Sequence, residues 1–327
     1  MLRKQVAQNT VRHAYLLTGP PGVGRRTLAL RLAQALNCTQ PPAPGEPCGE
    51  CRDCQQIQRE QHPDLLIVTR DPDAKLPWMD PLRHGLHEMA LQPYQSKYKL
   101  ALFPRFHEAT DNAFNAVLKT LEEAPSYAVL IITADTPEQL PATIVSRCEV
   151  LRLRPLAIEE VESFLEERLA QLKADGKERP PGAEAGASLI AHLSGGRPGY
   201  ALRLLEDPSA LAFRLEKLTE LQALLSSTRA RKFSYAEKLA GDRDALRNTI
   251  LLWLSFWRDV LLRAGGASTP PANMDRLQEI DSLAKRLPLW EARRVVSEHE
   301  LALERLDANI NPRLLAEVLL LDLPRGM

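Results

Sequence analysis

Four cysteines crowd between positions 38 and 54: Cys38, followed by Cys48-x₂-Cys51-x₂-Cys54. Zn²⁺ takes four soft ligands in a tetrahedron, and a Cys-x₂-Cys turn presents two thiolates to one ion. Four thiolates complete that shell, so the spacing predicts a closed, structural zinc site with no open position for catalysis. Buried free thiols, an iron–sulfur cluster or a Cys51/Cys54 redox pair are the alternatives. The spacing does not match ferredoxin runs, and the strand and helix context of a thioredoxin motif is absent. The fifth cysteine, Cys148, starts a predicted strand and reads as a small core residue.

A second pattern concerns phosphate. Gly19, Gly22 and Gly24 keep the glycine frame of a P-loop between an apolar run and an Ala/Leu-rich run. Such a frame lets backbone N–H groups curl around phosphate oxygens at a helix N-terminus. The pattern wants lysine for the β/γ-phosphates and then a hydroxyl for Mg²⁺. This chain has Arg25 and Arg26 there, and Thr27 comes one residue late. A P-loop ATPase also needs acidic residues after a second strand, to help hold Mg²⁺ and to polarise the attacking water. The run 99–103 is instead followed by Pro104-Arg105-Phe106-His107, with no carboxylate before Glu108. Three parts of the hydrolytic apparatus are missing, so the expectation is a loop backbone without ATP hydrolysis.

The elements that must position these groups alternate. Predicted strands cover 14–17, 65–69, 99–103, 128–133 and 149–153; the first four are Leu/Ile/Val-rich, as in strands buried on both faces, and the last alternates, as at an edge. Helical patterns lie between, at 28–36 and most clearly at 111–123, where Phe114, Val117, Leu118 and Leu121 share one face and Thr110 can cap the start. Strands alternating with helices predict a parallel-sheet α/β domain. After Pro155 the strands stop. A helix is predicted over 158–172, a polar Pro/Gly-rich loop over 175–186, and a short helix over 200–205. Long amphipathic helices follow from about 208, broken near 265–271 and 311–312.

Lys+Arg and Asp+Glu both number 42 in the 327 residues, which excludes a strongly basic nucleic-acid binder. No apolar run approaches the ~20 residues of a membrane span, and no signal-like apolar segment follows the first basic residues. A soluble cytoplasmic protein is expected.

The run FNAVLKTLEEAP at 114–125 resembles the helix after the Walker B strand in AAA+ clamp-loader subunits. LPATIVSRC at 140–148 resembles their "SRC" segment, and the cysteines match a module inserted after the P-loop helix in bacterial members. The resemblance runs from about residue 10 to 205 and more loosely into the C-terminal helices, including Asn311-Pro312-Arg313-Leu314. It implies an α/β RecA-like AAA+ domain over 1–155 with a zinc module at 38–54. A small helical lid would span 156–206 and an all-helical collar 207–327. The altered P-loop, Pro104 and Arg105, and Gly199 in place of a sensor arginine depart from the tau/gamma motor type and fit the non-hydrolysing delta-prime type.

The resemblance further implies that Arg147, with Ser146 beside it, is an arginine finger acting in trans on ATP held by a neighbouring subunit. On its own Arg147 reads as a surface or salt-bridged arginine. Implied partners are tau/gamma ATPase subunits and a delta subunit in a hetero-pentameric loader, with the beta sliding clamp and primer-template DNA reached through that complex of the DNA polymerase III holoenzyme. Zn²⁺ is the implied cofactor, with ATP bound only by neighbouring subunits. The alternatives are a self-sufficient AAA+ ATPase with a divergent P-loop and a zinc-ribbon nucleic-acid binder.

Overall fold

The apolar runs become five parallel strands in a computed structural model that describes residues 1–71, 76–308 and 310–324. Residue 309 and residues 325–327 of the expected collar therefore lie outside the described part. The strands are β1 (Ala14–Thr18), β2 (Leu65–Ile67), β3 (Lys99–Phe103), β4 (Ala128–Ala134) and β5 (Glu149–Arg152), in the sheet order β2-β3-β4-β1-β5. Every residue of β1, β3 and β4 is buried, as continuous apolar runs require. The alternating run at 149–152 is indeed an edge. The predicted 65–69 strand is shorter than expected, although Val68 still donates to the Leu102 carbonyl at 2.9 Å.

Helices flank this sheet in the first compact unit, Met1–Pro155: α1 (Leu2–Ala7), α2 (Arg25–Asn37), α3 (Arg52–Gln58), α4 (Met79–Ala90), α5 (Asp111–Glu122) and α6 (Ala142–Val145). One sheet face packs Leu16, Phe103, Leu130 and Ile132 against Phe106, Phe114, Val117 and Leu121. The other packs Tyr15, Leu17, Leu100 and Ile131 against Leu30, Ala33 and Leu36 of α2. The cap expected at α5 is present, with the Thr110 hydroxyl accepting from the Ala113 N–H at 3.4 Å. The carboxyl ends of the parallel strands gather Gly19, Arg105 and Asp135 at one edge, where open α/β sheets place ligands.

The second unit, Leu156–Met327, is helical: α7 (Ile158–Ala174), α8 (Ala187–Ser194), α9 (Pro198–Glu206), α10 (Pro208–Leu225), α11 (Arg229–Leu239), α12 (Arg243–Ala264), α13 (Leu277–Arg286), α14 (Leu289–Asp307) and α15 (Pro312–Leu321). It holds two apolar clusters. Val161, Leu165, Ile190 and Leu204 join α7, α8 and α9, whereas Leu246, Trp253, Trp257, Val295, Leu315 and Leu319 join α12, α14 and α15.

Inside the larger cluster His299 is 1% exposed. Its Nδ1–H donates to the Val295 carbonyl at 2.7 Å, and its Nε2 has no partner. Burial therefore holds the ring neutral and lowers its pKa to about 4. An unfolded chain takes up this proton near pH 6.5, so the folded state loses stability as pH falls from about 6.5 towards 4 and loses none above it. The loss reaches about 2 kcal/mol at pH 5. Urea unfolding of wild type and His299→Leu at pH 7 and 5 checks this. The wild type should lose more stability than the variant between the two; equal losses would show that His299 titrates normally.

Candidate phosphate loop, cysteine module and arginine surface

The glycine-rich turn leaves the end of β1 with Gly19, Gly22 and Gly24 at φ of +146°, +83° and +104°. A Cβ on Gly19 would lie 2.5 Å from the Leu153 carbonyl oxygen, so only glycine lets the loop pass β5 this closely. The Gly19 N–H donates to the Asp135 carbonyl at 3.0 Å, tying the loop to the end of β4. Backbone geometry thus survives. The side chains do something else. Arg25, the first residue of α2, turns its Nη2 onto the Asp135 carboxylate at 2.7 Å, with both side chains nearly buried. Its Nη1 is buried without an acceptor. Arg26 forks away to Glu60, with Nε–Oε1 at 2.8 Å and a second bond from Nη2 to Oε2, joining α2 to the residue after α3's cap. Thr27 is exposed on α2. At the end of β3, Arg105 adopts φ +50°, donates its N–H to the Thr133 hydroxyl at 2.9 Å and pairs with Glu108.

The four thiols do come together. Cys38 caps the end of α2 and Cys51 the start of α3, and the four Sγ atoms lie within 4.8 Å of one another. Cys38–Cys48 and Cys48–Cys54 sulfur separations are 3.5 and 4.0 Å. Sulfurs at the corners of a tetrahedron around zinc, each ~2.3 Å from the ion, stand about 3.8 Å apart. The fit is therefore close. Backbone N–H groups aim at sulfur as thiolates require: Cys48 to Cys38 at 3.4 Å, Cys51 to Cys48 at 3.3 Å and Cys54 to Cys51 at 3.5 Å. Burial alone would raise the Cys51 thiol, but hydrogen bonds from the Cys54 and Thr39 backbones and the Thr39 side chain outweigh it and bring the pKa to about 6. Burial pushes the fully buried Cys54 thiol up, a state that a cation would reverse.

This module is clamped to the sheet by a buried polar network. His62 reaches Asp53 of α3 with Nε2 at 3.3 Å, and its Nδ1 accepts from the Asp64 N–H at 3.0 Å. Asp64 is fully buried and accepts three backbone N–H groups, from Tyr94, Gln95 and Ser96, at 2.6 to 3.0 Å. The Gln34 side chain donates to the Cys54 carbonyl at 2.7 Å.

Arg147 lies at the opposite edge of the sheet from the phosphate loop. It lines an open cavity of 310 Å³ with Arg12, His13, Ala14, Ser146, Cys148 and Glu149, at the amino ends of β1 and β5. The five-residue β1 separates this edge from Gly19, about 16 Å at ~3.3 Å per residue. The guanidinium donates from Nη1 to the Thr143 carbonyl at 2.9 Å and from Nη2 to Glu122 at 2.5 Å. Ser146 donates its hydroxyl to the same Thr143 carbonyl at 3.2 Å. Cys148 packs partly buried against the sheet core, and burial pushes its thiol up to about 12, so it is unreactive.

Four residues packed around these sites escape sequence reasoning. Asp135 was legible only as an acid just past a predicted strand, Glu122 as one of several surface acids, and His62 and Asp64 as loop residues. A carboxylate at the carboxyl end of the strand next to the P-loop strand is the signal that points to Asp135.

Residues 1–157 match the family described as DNA polymerase III, delta subunit. The delta' subunit of Pseudomonas aeruginosa is 36% identical over 192 residues, 59% of this chain and 55% of that protein. The delta' subunit of Bacillus subtilis is 32% identical over 169 residues, 51% and 50% of the two chains. The tau subunit of Escherichia coli is 33% identical over 156 residues, 48% of this chain and 24% of that protein. The matches to the first relatives span between 24% and 58% of those proteins' lengths. No helix among the described residues is long and apolar enough to cross a membrane. With a parallel sheet carrying a P-loop-type turn and four convergent thiols beside that likeness, residues 1–157 carry the DNA polymerase III, delta subunit domain, and the chain is a relative of delta' and tau/gamma subunits.

Proposed function

We propose that the chain is a non-hydrolysing, delta-prime-type subunit of a bacterial clamp loader, working in the cytoplasm. It joins tau/gamma ATPase subunits and a delta subunit in a hetero-pentamer that places the beta sliding clamp on primed DNA. Residues 156–206 serve as the lid and 207–327 as the collar, and the cysteine module holds a structural Zn²⁺. Arg147 serves in trans as an arginine finger, with Ser146 steadying the Thr143 turn.

The observation that carries the reading is the placement of Arg147 across the sheet from its own phosphate loop. An arginine side chain spans far less than ~16 Å, so Arg147 can meet a triphosphate only in another subunit. At the loop itself, Arg25 is committed to Asp135, and opening a buried ion pair costs about 3–5 kcal/mol. That weakens any triphosphate binding that needs the Arg25 guanidinium by a factor of roughly 10² to 10⁴. No carboxylate follows β3 where Mg²⁺ and the attacking water would need one. ATP is thereby left to the neighbours. The test is reconstitution: the chain mixed with tau/gamma and delta subunits should co-elute on size exclusion and load a clamp on primed DNA. A chain that stays free of both, with correctly folded partners, contradicts the assignment.

A further inference from the structure

Two arms of Arg147 are already tethered. Nη2 meets Glu122 Oε1 at 2.5 Å and Nη1 meets the Thr143 carbonyl at 2.9 Å. These anchors come from different elements, the last residue of α5 and the interior of α6. The end of α5 is itself pinned: His13, just before β1, places its Nε2 3.0 Å from the carbonyl of Leu121. Leu121 is 1% exposed within the sheet core. The carboxylate of Glu122 therefore stands on a fixed platform rather than on a loop.

Arginine offers five N–H donors in a rigid fork, and two are engaged here, which leaves donors for an incoming phosphate. A free arginine side chain carries about 2 kcal/mol of rotamer entropy. Tethering at two points removes much of that freedom before a neighbour arrives. The Glu122 side chain is half exposed, so solvent screens its charge and a polyanion still feels the guanidinium. Its main effect is on direction. Building on the reading of Arg147 as a finger in trans, we infer that Glu122 is a positioning residue that holds the Arg147 fork aimed outward for the neighbouring triphosphate.

The experiment uses the reconstituted loader carrying wild type, Glu122→Ala, Glu122→Gln, Arg147→Ala or the double Ala variant. Size exclusion and melting temperature verify folding and assembly, and single-turnover kcat and KM for ATP are measured at the site facing Arg147. Glu122→Ala should lower kcat roughly tenfold, as a displaced catalytic group does, with KM nearly unchanged. Glu122→Gln should restore the rate, because its amide oxygen still accepts from Nη2. The double variant should match Arg147→Ala. If Glu122→Ala hydrolyses at the wild-type rate or faster, or Gln fails like Ala, Glu122 does not position the finger. Normal hydrolysis with Arg147→Ala would instead overturn the finger itself. The two failures are thus read on separate variants.

Discussion

Replacing Arg147 with alanine is expected to slow hydrolysis at the neighbouring ATP site by roughly 10³-fold or more while the complex still assembles. The size follows from where charge develops. In phosphoryl transfer the transition state spreads negative charge over the equatorial oxygens, and a guanidinium there contributes about 4 kcal/mol or more. Folding should barely notice the change. The Arg147 and Glu122 side chains are 35% and 50% exposed, and such pairs contribute about 1 kcal/mol or less. Arg147→Lys keeps the charge but loses the fork, so it should recover only part of the rate. In the proposed assembly this chain serves one site, so single-turnover hydrolysis isolates its contribution. Unchanged single-turnover rates would assign Arg147 to the surface.

Metal removal should have the second largest effect. One zinc per chain is expected by elemental analysis, bound by Cys38, Cys48, Cys51 and Cys54. Structural zinc sites contribute roughly 10–16 kcal/mol of binding free energy in small modules, comparable to the whole stability of an ordinary domain. Without the ion, four thiolates packed at these separations repel or must protonate, and Cys54 and Ile57 lose the turn that buries them. Chelation, or Cys54→Ser, should therefore open residues 38–62 to proteolysis and hydrogen exchange. The His62–Asp64 network should loosen with it, because Asp53 lies between two of the ligands. The strands β1, β3 and β4 should stay protected, since most of their apolar contacts are with α2, α4 and α5 and the module adds Ile57 alone to their buried clusters. A zinc-free chain with an equally protected 38–62 segment would show that the thiols act without metal.

The parts of the molecule that could be read from the sequence are those set by local pattern. Continuous apolar runs defined β1, β3 and β4 because both faces are covered, and the alternation at 149–153 marked β5 as an edge. The i, i+3, i+4, i+7 pattern with Thr110 fixed α5 almost to the residue. Cysteine spacing foretold a cluster because a metal turn is a local object. What could not be read was pairing across elements. Arg25 and Arg26 look alike in sequence, yet one turns inward to Asp135 and the other outward to Glu60. Those partners lie far along the chain, and only the sheet order brings Asp135 beside Gly19. Glu122 and Arg147 meet for the same reason. The short helix α1 and the four-residue α6 lack a long apolar period and are set by packing instead.

The proposed role is a division of labour: this chain keeps a phosphate-loop backbone without its chemistry and assists hydrolysis elsewhere. The most direct measurement is steady-state ATP hydrolysis by the purified chain alone and after assembly with tau/gamma and delta subunits. Background hydrolysis is expected from the chain alone, and in the complex a rate that depends on Arg147 and is indifferent to Arg25→Ala. Substantial hydrolysis by the isolated chain, lost on Arg25→Ala, would contradict it and make the chain an ATPase in its own right.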